Sequence, residues 1–102
     1  MTEAERNLFN KTLVEYGISS QKMMAIEECA ELQNALAKLA RGRVSTQDII
    51  TELADVSIMV DQLALFFGEK AFAEERNRKV RRLEERLKTC KLCDQRGMSN
   101  GL

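Results

Sequence analysis

The chain of 102 residues contains no proline, and the first three of its five glycines, Gly17, Gly42 and Gly68, stand at near-even spacing. Proline is the strongest helix breaker, and glycine is the usual residue just past a helix end. A chain free of the one and punctuated by the other can run as helix between those points. Its Ala, Leu, Glu, Lys and Arg content favours the same outcome. Four helices are expected. The first spans roughly residues 3–16 and stops at Gly17. The second, capped by Ser19 or Ser20, continues to about Arg41 and ends at Gly42. The third opens at Ser45, with Asp48 three residues on in a variant of the capping box, and ends at Gly68. The fourth starts near Glu69 and runs to about Lys88 or beyond. The fold class is therefore all-α, a four-helix bundle-like subunit forming one domain over residues 1–95, with residues 96–102 as a disordered tail. So short a chain buries a limited share of its surface, so its apolar stripes are expected to be completed by oligomerisation.

Lys and Arg number 16 against 16 Asp and Glu, a balance unlike that of proteins that coat nucleic acid, and no stable nucleic-acid binding is expected. The charge is nonetheless uneven, with eight basic and two acidic residues between Arg76 and Lys91. The N-terminus shows no basic region followed by an apolar core, and no stretch is long enough to span a bilayer. A cytoplasmic protein with no membrane partner is expected. Three cysteines, an odd number, fit a reducing compartment. Cys29 reads as a small core hydrophobe. Cys90 and Cys93 have zinc-knuckle spacing, but the chain has no histidine and no second such pair, so two exposed thiols near the terminus are favoured.

The central helices carry the chemistry. Ala25, Cys29, Leu32, Leu36 and Leu39 step by four and three, as do Ile49, Leu53, Val56, Val60, Leu63 and Phe67, which marks two seams of coiled-coil type. A shift of one helix onto the other superposes the seams and carries Glu28 onto Glu52 and Glu31 onto Asp55. At about 100° per residue, the first acid of each couplet lies roughly 60° from its seam and the second roughly 120°. Joined by the short connection from Gly42 to Ser45, the two helices can form an antiparallel hairpin that brings both couplets together. Four carboxylates in a partly desolvated site repel one another unless a cation compensates. An all-oxygen cage of this kind suits Mg²⁺, with Mn²⁺ as the alternative, and suits phosphate chemistry. Against this stands the ordinary alternative of acidic pairs on solvated helix faces.

The run Ala25-Ile-Glu-Glu-Cys-Ala-Glu-Leu32, followed by Glu52-Leu-Ala-Asp-Val56, resembles the E-E-x-x-E … E-x-x-D signature of MazG-like enzymes, the all-α nucleoside triphosphate pyrophosphohydrolases whose superfamily includes dimeric dUTPases. The likeness extends over about Gln21 to Leu87. It implies Mg²⁺-dependent hydrolysis of a (d)NTP to the monophosphate and pyrophosphate, a homodimer or homotetramer, and Glu28, Glu31, Glu52 and Asp55 as metal ligands. Glu27 matches the first acid of the motif and turns about 160° from the seam. It reads equally as a holder of a second metal, as a group orienting the attacking water or as a solvated residue, while Glu28 is the other catalytic candidate. Without histidine, water activation falls to a carboxylate or a metal, and no Gly-rich phosphate loop is present.

Lys79-x-x-Arg82 on the fourth helix is similar to the family's C-terminal helix and supplies candidate phosphate ligands on one face; pairing with Glu84, Glu85 or a neighbouring subunit is the alternative. Phe72, Val80, Leu83 and Leu87 form that helix's apolar edge, for a core or a subunit interface. Lys38 and Arg41 are further cationic candidates. Gln21, seven residues before Glu28, is placed to reach a base or ribose, or is a surface residue. Met24, Ala35 and Met59 flank the acids as pocket lining or packing. Phe66 and Phe67 are expected to be buried. The competing functional classes are a non-catalytic helical oligomer serving as an interaction module, and a metal-responsive regulator using the Cys90–Cys93 tail.

Overall fold

A computed structural model of the protein describes residues 1–89, so the readings of Cys90, Cys93 and the tail lie outside the described residues. The fold is all-α: α1 spans Glu3–Tyr16, α2 Ile18–Leu39, α3 Thr46–Phe67 and α4 Glu69–Thr89, with no strand among the described residues. The chain divides into two compact units, Met1–Glu69 and a second beginning at Lys70.

Each boundary has a local cause. Thr2 caps α1 with a reciprocal capping box to Glu5, and Ser45 does the same for α3. Its backbone N–H donates to Asp48 Oδ2 at 3.0 Å while its Oγ accepts from the Asp48 N–H at 3.1 Å. The α1–α2 junction is tighter than expected. α2 starts at Ile18, so Ser19 and Ser20 lie inside its first turn, and Gly17 closes one helix and precedes the next with φ 83°. A side chain is disfavoured at that angle. α2 also ends earlier than expected, at Leu39. There the N–H of Gly42, in the left-handed region at φ 67°, bonds Leu39 O, and that of Arg43 reaches back to Lys38 O at 2.9 Å. This is a Schellman-type close, and it shapes the turn into α3.

In the first unit α2 and α3 pack as the expected hairpin and α1 lies against both. The inner line is rotated from the predicted seams. Ala25 and Leu32 do turn inward, as do Ile49, Val56 and Leu63 on α3, but Cys29, Leu36 and Leu39 are exposed, as are Leu53, Val60 and Phe67. The buried or half-buried line instead runs Gln21, Ala25, Glu28, Leu32, Ala35 on α2 and Ile49, Glu52, Val56, Met59, Gln62 on α3. Small side chains at Ala25 and Ala35 leave room on this face for the longer ones opposite. Cys29 is thus not a core hydrophobe, and Phe66 and Phe67 are not buried: their rings stack edge to face at 4.9 Å with Phe67 71% exposed. Arg6 fastens the unit's end, its Nε and Nη2 donating to the two carboxylate oxygens of Glu69 at 3.0 and 2.7 Å. Such a bidentate pair fixes geometry as well as charge.

Every residue of α4 from Lys70 on is exposed, including Phe72, Val80, Leu83 and Leu87. Arg78 pairs with Glu75, and Lys88 with Glu84 at 3.1 Å.

Candidate metal centre

The rotation of the hairpin has a chemical consequence: it carries the acids from the flank of the seam into it. Glu28 and Glu52 are half-buried, and the Oε2 of each is shut off from solvent with no hydrogen-bond partner. One carboxylate oxygen from each of Glu28, Glu31 and Glu52 lies within 4.8 Å of the others. In octahedral Mg²⁺ coordination, with bonds of 2.0–2.1 Å, opposite ligand oxygens stand about 4.2 Å apart. The spacing is close to that of a ligand set, and small side-chain adjustments bridge the difference. Asp55 is outside this group of three, yet its charge acts on both Glu28 and Glu52, as that of Glu31 does.

The electrostatics follow from the crowding. Partial burial, then the neighbouring charges of Glu31, Asp55 and Glu52, raise the Glu28 carboxyl above its ordinary range. Partial burial, then the charges of Glu31 and Asp55, raise Glu52, with Asp48 adding to the effect. A buried carboxylate oxygen without a donor is a costly state. It is relieved either by a proton or by a cation, and hard anionic oxygens of this kind are the donors that Mg²⁺ and Mn²⁺ take.

Of the other sequence candidates, Lys38 joins the acids. A cleft of ≈ 240 Å³ is lined by Glu31, Asn34, Ala35, Lys38, Val44, Asp48 and Glu52. Asn34 and Asp48 were not picked out from sequence, although Asn34 follows Glu31 by three and Asp48 precedes Glu52 by four, the spacings that keep residues on one helix face. Glu27 is exposed, as is Arg41. Gln21 is buried, at 6% exposure, and lines neither this cleft nor the groove described next. Ala35 and Met59 are buried as packing residues, while Met24 is exposed. Lys79 and Arg82 are exposed on α4 and take part in no ion pair among the described residues.

A second concavity, ≈ 620 Å³, runs between α2 and α3 and is lined by Ala25, Ile26, Cys29, Ala30, Leu63 and Phe67, with Lys22 and Gln33 contributing polar groups. No helix among the described residues is long and apolar enough to cross a membrane. Comparison with known proteins gives no match to a family model, a curated protein or a solved structure.

Proposed function

We propose that the protein is a Mg²⁺-dependent nucleoside triphosphate pyrophosphohydrolase, which cleaves a (d)NTP to the monophosphate and pyrophosphate. One observation carries this reading: the two solvent-excluded, unpartnered carboxylate oxygens of Glu28 and Glu52, set among further acids on the facing helix. A polypeptide has little reason to hold such atoms unless something charged fills the space between them. Glu28, Glu31 and Glu52 would hold the ion, with Asp55 beside Glu28. When bound, Mg²⁺ (or Mn²⁺) supplies neutralisation of phosphate oxygens and a more acidic bound water.

The chain's own residues do the rest. Lys38 lies in the acidic cleft and offers a cation to the phosphate chain, while Lys79 and Arg82, in no ion pair among the described residues, are further phosphate ligands. At ≈ 240 Å³ the cleft falls below the usual size of a small-molecule pocket, about 300–1,000 Å³. It suits the phosphates of a nucleotide better than its base. Glu28 and Glu27 remain the candidates for handling the proton of the attacking water. The enzyme acts as a homodimer or homotetramer in a cytoplasmic setting, a reading of its assembly supported by the exposed apolar side chains of α2 and α3.

Chromatographic product analysis tests the activity. A panel of canonical and modified (d)NTPs is incubated with the protein, once with Mg²⁺ and once with EDTA. Monophosphate and pyrophosphate are expected with Mg²⁺ alone. Orthophosphate as the product, or no turnover by folded protein, overturns the reading. The apolar groove and the bare apolar edge of α4 favour, in the second case, a non-catalytic oligomer acting as an interaction module.

A further inference from the structure

No residue of α4 is buried, and from Lys70 to Thr89 all are exposed. A helix in a folded protein draws most of its stability from packing an apolar face, and α4 has such a face to offer. Val80, Leu83 and Leu87 follow one another at i, i+3 and i+7, within an arc of about 60°. They are 49%, 64% and 60% exposed. This is the anchor spacing of a helix that lies in a groove. The first unit carries a groove of matching kind. The ≈ 620 Å³ concavity between α2 and α3 is lined by Ile26, Cys29, Ala30, Leu63 and Phe67, and its α2 side reaches from Lys22 to Gln33. That side is about 16 Å long and the three anchors span about 10 Å, so the groove can hold all three. Ile26, Cys29 and Phe67 in the groove are as open to solvent as the α4 edge.

Charge selects what covers them. Residues 1–69 hold six basic and eleven acidic side chains, and residues 70–89 hold eight basic and four acidic. Groove against groove would bring two acidic units together, and α4 against α4 two basic helices. Groove against α4 joins opposite charges, which steers encounter and disfavours both like-charged pairings. We infer that the α4 edge of one copy seats in the α2–α3 groove of a second copy, an inference that rests on the oligomer of the functional reading and not on its metal. Val80, Leu83 and Leu87 are the anchors. Used in both directions about a two-fold axis, the contact forms twice and closes a dimer.

Two full-chain variants test the pairing, Ile26→Glu in the groove and Leu83→Glu on the helix edge. Both residues are exposed, so neither change opens a cavity. Each variant alone loses both contacts. Size exclusion with light scattering should read a monomer, with a dissociation constant at least tenfold above that of the parent. Mixed in equal amounts, the two should form a heterodimer, because the intact edge of the Ile26→Glu copy still fits the intact groove of the Leu83→Glu copy. That heterodimer keeps one contact of two and should dissociate more readily than the parent. A mixture that stays monomeric overturns the proposal. So does a dimer of Leu83→Glu alone, which means groove on groove, or of Ile26→Glu alone, which means edge on edge. Cys29 allows a second test. In a chain carrying Leu83→Cys, Cys90→Ser and Cys93→Ser, a short bismaleimide should join Cys29 of one copy to the new thiol of another, as read by mass spectrometry of the linked peptides. Linkage within one chain overturns the proposal, since α4 then covers its own groove. Should either Glu variant fail to fold, the cross-link carries the test alone. A monomeric parent overturns the oligomer of the functional reading as well, whereas an associated parent with neither rescue nor cross-link overturns only these surfaces.

Discussion

Glu28 and Glu52 each place one carboxylate oxygen where neither water nor a donor reaches it, and the account follows from that arrangement. Removing one of the crowded charges should relieve repulsion without opening a cavity. Glu52→Gln or Asp55→Asn is therefore expected to abolish turnover while leaving the fold intact and raising the metal-free melting temperature. Retained activity in either variant would refute the ligand assignment. The raised carboxyls also fix a sign for pH dependence. An unfolded Glu titrates at about 4.3, whereas Glu28 and Glu52 titrate higher when folded. Between those values the native state holds protons that the unfolded chain releases. The stability they contribute is present at low pH and is lost as pH rises through the folded values. The metal-free protein should accordingly melt at a higher temperature near pH 5 than near pH 8. At still lower pH the trend should reverse, because Glu5, Asp48, Glu69 and Glu75 are lowered by their partners and lose that stability on protonation. A melting temperature that falls steadily from pH 8 to pH 5 would count against the crowded, partly buried acids.

Among the helices, the caps do measurable work. Ser45→Ala removes one half of the α3 capping box and should cost about 1 kcal/mol in denaturant unfolding. Gly42 has open space where a Cβ would go, so Gly42→Ala should cost only the left-handed backbone strain, about 1–2 kcal/mol. A larger loss would mean that the turn does more than close α2. These boundaries were legible in the sequence because capping is chemistry between near neighbours: Ser45 with Asp48, Gly42 after the last apolar step, Gly68 before Glu69. The face of each helix that turns inward was not. α2 and α3 each carry an apolar row at heptad spacing and a second row that shares Ala25, Leu32, Ile49 and Val56 with it and is otherwise Gln, Glu, Ala and Met. Hydropathy alone ranks the first row inside. Tertiary packing selects the second, where Ala25 and Ala35 are small and Gln62 meets Thr12. The pairing of Glu28 and Glu31 with Glu52 and Asp55 was still readable, since it depends on the hairpin register and not on which row is buried. Asn34 and Asp48 were missed because neither belongs to a couplet.

For the molecule as a whole, the unused apolar row is the outstanding feature. Ile26, Leu36, Leu53, Val60 and Phe67 are exposed on the first unit, and Val80, Leu83 and Leu87 on α4. Burying a side chain such as Ile or Phe is worth roughly 1.5–3 kcal/mol, so self-association offers a large gain. Size-exclusion chromatography with light scattering should find a dimer or tetramer, and Ile26→Lys with Phe67→Glu should shift it toward the monomer. A monomeric parent would remove the oligomer from the account. The claim on which the rest depends is that the acids at the centre of α2 and α3 bind a divalent cation. Thermal unfolding of metal-stripped protein against Mg²⁺ tests it most directly. A ligand of the native state at a hundred times its dissociation constant stabilises by about 2.7 kcal/mol. The parent should therefore show a saturable rise in melting temperature that Glu52→Gln lacks. Mg²⁺-independent melting of the parent, or an equal rise in both proteins, would contradict it.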